Sequence, residues 1–184
     1  MNAGVIASRY AKALLKYVQE SGGGDKVYSQ TCVLGLRLME IRQLRDFIEG
    51  HTELALERKL ELLRSSLGED LAPELVNFVR LVTERRRMGL FSRMLYSFIV
   101  QYRIANNIKV GRIVLASPVD GLREKLEMMF HERTGADVQL SETLNPEILG
   151  GFIFEMDGYR LDASVENQFR RIRRQLIEKN NRIV

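Results

Sequence analysis

Only one cysteine, Cys32, occurs in the 184 residues, so no internal disulfide can form. Its neighbours Val33, Leu34 and Leu36 are apolar. That setting suits a buried thiol acting as a small hydrophobe rather than a nucleophile, and a reducing compartment is the natural inference. Histidine is scarce as well: there are two, His51 and His131, in different halves of the chain. They leave no neighbouring pair of groups titrating near neutrality for acid–base catalysis. His131 sits beside Glu132 and Arg133 and is expected to be solvated. With so few cysteines and histidines there is no closely spaced ligand set for zinc, and neither a metal nor a cofactor is expected. Long apolar runs are missing too, and Arg9 and Lys12 interrupt the first apolar residues. A membrane-spanning helix and a secretory signal are therefore not expected.

Phosphate-binding loops are absent on the same reasoning. No Lys-Ser/Thr pair follows Gly22-Gly23-Gly24 at the required spacing and no strand precedes them, so they are expected to stop a helix. Gly150-Gly151 lacks a nucleotide fingerprint and marks a bulge or a close backbone approach. Acidic pairs such as Glu69 and Asp70 belong to exposed helix ends, and no acid–base pair stands out.

What the chain does have is 45% hydrophobic and 28% charged residues, the balance of an ordinary globular protein. Its net charge of +4 permits nucleic acid, anionic lipid or an acidic protein as partner and selects none of them. Helical periodicity dominates the first half. Val5, Ile6, Tyr10, Ala13, Leu14, Tyr17 and Val18 form one stripe, and Ala3, Ala7, Ala11 and Leu15 a second beside it. Together they make an apolar arc wider than one neighbouring helix covers, and small side chains allow close approach. Asp25 is placed to cap a helix carrying Val27, Cys32, Leu34 and Leu38. A short segment from Gln43 to Glu49 follows, then a helix with Leu56, Leu60, Leu63 and Leu67. Pro73 opens a helix with Leu75, Phe78, Val79 and Val82 inside. The strongest stripe is Phe91, Met94, Leu95, Phe98, Tyr102 and Ala105.

The period changes near Asn107. Arg112 to Ser117 suits a strand, and Asp120 is placed to cap a helix with Leu122, Leu126 and Met129 inside. Asp137 to Thr143 alternates as a strand does. Phe152 to Phe154 and Tyr159 to Leu161 flank the turn Asp157-Gly158 as a hairpin, and Ser164 caps a last helix carrying Val165, Phe169, Ile172 and Leu176. The expected fold is α+β in two domains. Residues 1–107 form a six-helix bundle, and residues 108–184 form a small α/β domain with a short mixed sheet and two helices.

Arg85-Arg86-Arg87, together with Arg170, Arg171, Arg173, Arg174, Lys179 and Arg182 of the last helix, raise a basic nucleic-acid-binding protein as the alternative function. Against it, the last helix also carries an apolar stripe, its cations complement a helix C-terminus, and no aromatic platform alternates with the arginines. No nucleic acid is expected as partner.

Ile6 to Tyr17 (IASRYAKALLKY) and Asn145 to Leu176 (NPEILGGFIFEMDGYRLDASVENQFRRIRRQL) resemble the delta subunit of bacterial F-type ATP synthases, called OSCP in mitochondria. The resemblance spans nearly the whole chain, and Leu149-Gly150-Gly151 followed by Leu161-Asp162-Ala163-Ser164 is its most specific part. It departs at Glu84 to Met88, where an Asn-Gly turn is common and three arginines stand here. The resemblance implies a non-catalytic stator that joins the catalytic head to the peripheral stalk. The implied location is the cytoplasmic face of a bacterial membrane, reached only through the complex. Residues 1–107 would bind N-terminal helices of alpha subunits in a groove lined by Tyr10, Ala11, Leu14, Phe78 and Leu81. Residues 108–184 would bind C-terminal helices of the b subunit through Phe152, Phe154, Phe169 and Ile172. Helical periodicity by itself does not separate groove from core at these positions.

Overall fold

The computed structural model describes residues 2–50 and 55–181, with side chains through 175 and at 177. His51, Arg182 and the side chains of Leu176 and Lys179 lie outside the described residues. The chain divides into two compact units, Met1–Ala105 and Asn106–Val184.

The first unit holds α1 (Ala3–Ser21), α2 (Gly24–Glu40), α3 (Arg42–Glu49), α4 (Leu56–Leu67), α5 (Pro73–Glu84) and α6 (Phe91–Ala105). Helix α1 starts where the Asn2 side chain accepts from the Gly4 N–H, and ends at Gly22, which takes the left-handed conformation at φ 76°. Its buried residues are Ala7, Ala11, Leu14 and Val18, drawn from both expected stripes. Val5, Ala13 and Tyr17 are exposed instead. Small side chains at two of the four buried positions let α1 lie along α6, its main neighbour. There Gln101 donates to the Ser8 carbonyl at 3.2 Å.

Asp25 does not cap α2. Gly23 occupies the cap position, and the Asp25 carboxylate, in the first turn, accepts from the Tyr102 hydroxyl at 2.8 Å. A side chain at Gly24 would meet that same hydroxyl, its Cβ only 2.8 Å away. Burial, reinforced by the Asp25 charge, pushes Tyr102 up to about 12. Tyr28 stacks on Tyr102 at 4.8 Å and accepts from Arg103 Nε at 2.9 Å. Cys32 is half-buried beside Tyr28 rather than fully enclosed. A buried amide, Gln30, ties α2 to the α4–α5 connection: it donates to Glu69 Oε1 at 2.8 Å and the Asp70 carbonyl at 2.9 Å, and accepts from the Ala72 N–H at 2.8 Å. The inner faces of α5 (Leu75, Phe78, Val79, Val82) and α6 (Phe91, Met94, Leu95, Phe98, Tyr102) are buried as their spacing predicts, whereas Ala105 is exposed.

The second unit contains β1 (Ile108–Leu115), α7 (Leu122–Thr134), β2 (Asp137–Leu144), β3 (Phe152–Met156), β4 (Tyr159–Asp162) and α8 (Val165–Asn181). The sheet order is β2-β1-β3-β4, parallel between β1 and β2 and antiparallel elsewhere. A parallel pair needs a crossover, and α7 supplies it. Strand β1 begins four residues before the predicted Arg112 and stops at Leu115. Gly111 at its centre has no room for a side chain, since a Cβ would lie 2.8 Å from Leu140 Cδ2 and 2.9 Å from the Glu155 carbonyl oxygen.

Helix α7 packs Leu126 and Phe130 against Ala136, Val138, Leu140 and Phe154. Phe130 stacks on Phe154 at 4.9 Å and takes the inner place expected of Met129, which is exposed. The α7 cap position is Gly121, not Asp120. Asp157 and Gly158, at φ 51° and 81°, make the two-residue turn expected between β3 and β4. Ser164 caps α8, accepting from the Asn167 N–H at 3.2 Å. Asp162 in turn accepts from the Ser164 hydroxyl and N–H, which hold its carboxyl below the usual range.

Candidate functional site: two docking surfaces

Helices α1 and α5 run antiparallel at one face of the first unit. The Tyr17 hydroxyl, toward the end of α1, accepts from Asn77 Nδ2 near the start of α5 at 3.1 Å. Gly23, beyond α1, lies against the Glu74 carboxylate one turn earlier in α5. Moving back along α1 and forward along α5 brings Tyr10 and Leu81 to the same furrow, because both lie on the flanks that carry Tyr17 and Asn77. Tyr10 is half-buried and Leu81 is 39% exposed.

The other three residues expected to line the groove do not reach the surface. Ala11, Leu14 and Phe78 are buried in the unit's own core, and Phe78 meets Phe91 with ring centroids 6.4 Å apart. Tyr10 and Leu81, by contrast, stay partly in solvent. Tyr17, 40% exposed, and Asn77 were not nominated, yet they line the same furrow. Seven residues separate Tyr10 from Tyr17, two helical turns on one face, and that spacing was the available signal.

In the second unit the four nominated residues separate into two groups. Phe154 is buried and Phe152 half-buried, both in the cluster that α7 covers. Phe169 and Ile172 stand 62% and 52% exposed on α8. Periodicity left core and surface open at these four positions, and Phe169 and Ile172 lie outside the unit's core. The start of the helix is anchored, with Val165 donating its N–H to the Gly150 carbonyl at 3.0 Å. A side chain on Gly150 would press on Val165, and one on Gly151, at φ 72°, would come within 2.3 Å of the Ala163 carbonyl oxygen. The paired glycines thus admit the close approach anticipated from the sequence. Beyond this anchor α8 presents Phe169, Ile172 and Ile177 among Arg170, Arg171, Arg173 and Arg174, all exposed, with Arg170 paired to Glu166. Among the described residues no helix is long and apolar enough to cross a membrane.

Both units fall within a match to the family described as ATP synthase delta (OSCP) subunit, which covers residues 6–176. A protein named ATP synthase subunit delta from Phocaeicola vulgatus is 40% identical over the full length of both chains. One of the same name from Bacteroides thetaiotaomicron is 34% identical, again over the whole of both. Among solved structures, a chain of the Toxoplasma gondii mitochondrial ATP synthase hexamer superposes with a TM-score of 0.60 at 20% identity, covering 93% of this chain and 97% of that one. That likeness is one of fold, while the full-length identities carry the relationship. The chain belongs to the ATP synthase delta (OSCP) subunit family.

Proposed function

We infer that this chain is the non-catalytic stator subunit of an F-type ATP synthase, holding the catalytic head to the peripheral stalk against the torque of the rotor. Family membership over both units supports the role, and catalysis belongs to other subunits of such a complex. Residues 1–107, as a six-helix bundle, take the N-terminal helix of an alpha subunit in the α1–α5 furrow. Residues 108–184 take the C-terminal helices of the b subunit on the stripe of α8. The chain sits at the cytoplasmic face of a bacterial cell membrane and reaches that membrane only through the complex. No cofactor takes part.

The observation that carries the reading is the furrow itself. Tyr10, Tyr17 and Leu81 remain accessible on the neighbouring helices α1 and α5, whose residues Ala11, Leu14 and Phe78 are buried. An amphipathic helix docks by laying its apolar face into such a furrow, and Tyr10 and Tyr17, two turns apart on α1, with Leu81 across from them on α5, offer it apolar contacts. Co-purification tests the assignment. The chain is expected to be retained by the catalytic hexamer and by the b subunit separately, and retention by neither removes the stator reading.

A further inference from the structure

The sheet of the second unit ends, on one side, in the eight-residue strand β2. The Asp137 N–H donates to the Asn107 carbonyl and the Asn145 N–H donates to the Leu115 carbonyl, both inward to the β1 line. Those two bonds fix the parity of the strand: odd-numbered residues turn their backbone groups toward β1, and Val138, Leu140, Glu142 and Leu144 turn theirs outward. An open edge of this length is a template for another strand. One outward donor is already occupied. The Leu140 N–H donates to Glu127 Oε1 of α7 at 2.8 Å, so a carboxylate stands where an incoming strand would place a carbonyl oxygen.

Charge selects what could displace it. A cleft of about 310 Å³ beside the edge is lined by Glu127, Met128, His131, Glu132, Asp137 and Val138. Glu142 continues the acidic line along β2, and Arg123, paired with Glu124 at 2.8 Å, also lies within electrostatic reach of Glu127 and Glu142, so one guanidinium offsets only part of the carboxylate charge. In a chain of net charge +4, this edge is locally acidic. Pairing of β2 with β2 of a second copy would set carboxylates against carboxylates, whereas lysine or arginine side chains would neutralise them.

We propose that the β2 edge is a β-augmentation site for an extended, basic segment of a partner protein, with Glu127 as a placeholder on the Leu140 N–H that swings aside when the segment adds. The placeholder blunts the edge while it is empty, and once displaced its charge meets the cations of the incoming strand.

Residue-resolved amide exchange on the full chain tests this, using a peptide of alternating lysine and valine as probe. Exchange is expected to slow roughly tenfold at Val138, Glu142 and Leu144 while Gln139 and Ser141 stay unchanged, a pattern that diffuse charge attraction does not produce. Added salt should weaken the effect. Glu142→Pro removes an outward donor without touching the β1 ladder and is expected to abolish it, while Glu142→Gln only weakens it. The alternation in the unsubstituted chain decides the matter even if the proline variant does not fold. Uniform slowing along β2, equal binding of an alternating glutamate and valine peptide, or no slowing at saturating peptide overturns the proposal. So does protection of the edge without peptide in a chain that sediments as a dimer, which would mean that a second copy fills it.

Discussion

Tyr102 concentrates several constraints in one side chain. Buried and hydrogen-bonded to Asp25, it resists ionisation until about 12, against an ordinary tyrosine near 10. The folded chain therefore holds a proton that the unfolded chain releases between those two values, and the stabilisation present below pH 10 is lost as pH rises toward 12. Tyr28, raised in the same direction by burial, adds to the trend. Urea unfolding followed across that window should show stability falling with pH, with a shallower fall in Tyr102→Phe. Gln30 illustrates a different constraint. Gln30→Leu would leave the Ala72 N–H without its acceptor in a buried site, at a cost of about 1–3 kcal/mol readable by the same denaturation. Neither residue announced its role in the sequence. Helical spacing placed Tyr102 on the inner face of α6, but partners 77 and 42 residues away are set by tertiary packing. Leu81 was legible as apolar and helical, and only the packing beneath it distinguishes furrow from core. Leu81→Asp is expected to weaken binding of an alpha-subunit N-terminal peptide with helical content by circular dichroism unchanged, since the side chain is already partly in water. Leu14→Ala, by contrast, should cost about 2–5 kcal/mol of stability because it opens a cavity.

At the scale of elements, periodicity recovered those whose faces differ strongly. The inner faces of α5 and α6 match their spacing, because one flank of each is buried and the other solvated. Caps were less legible. Ser164 caps α8 as expected, yet near Asp25 and Asp120 the cap positions are taken by Gly23 and Gly121. An aspartate near a helix start satisfies a cap and a tertiary bond equally well, and at Asp25 the tyrosine hydroxyl wins. Helix α8 differs: Val165, Phe169 and Ile172 have the spacing of a core-facing helix, but only Val165 is partly buried and the other two stay in solvent. Phe169→Asp should therefore leave thermal unfolding of the isolated chain nearly unchanged while lowering retention by the b subunit in a pull-down. Loss of folding in that variant would assign the stripe to the core. The glycine pair before α8 acts oppositely. Gly151→Ala forces a Cβ into the Ala163 carbonyl at a left-handed φ, and destabilisation of at least about 1 kcal/mol is expected by thermal melting.

Across the whole molecule, each unit has a core of its own, and the change from helical to alternating periodicity near Asn107 lies beside the point where the two part. The second unit is built on a strand, β1, that pairs on both sides, and the first on a helix, α1, whose main neighbour is the last helix of its unit. The bond between Ser8 and Gln101 spans 93 residues. That separation has a consequence in time. During synthesis α1 precedes α6, so the largest packing partner of α1 is supplied only when the last helix of the unit has been made. Contacts of α1 with α2 and α5 can form earlier, but the packing of this half is completed only when the end of the unit returns to its beginning.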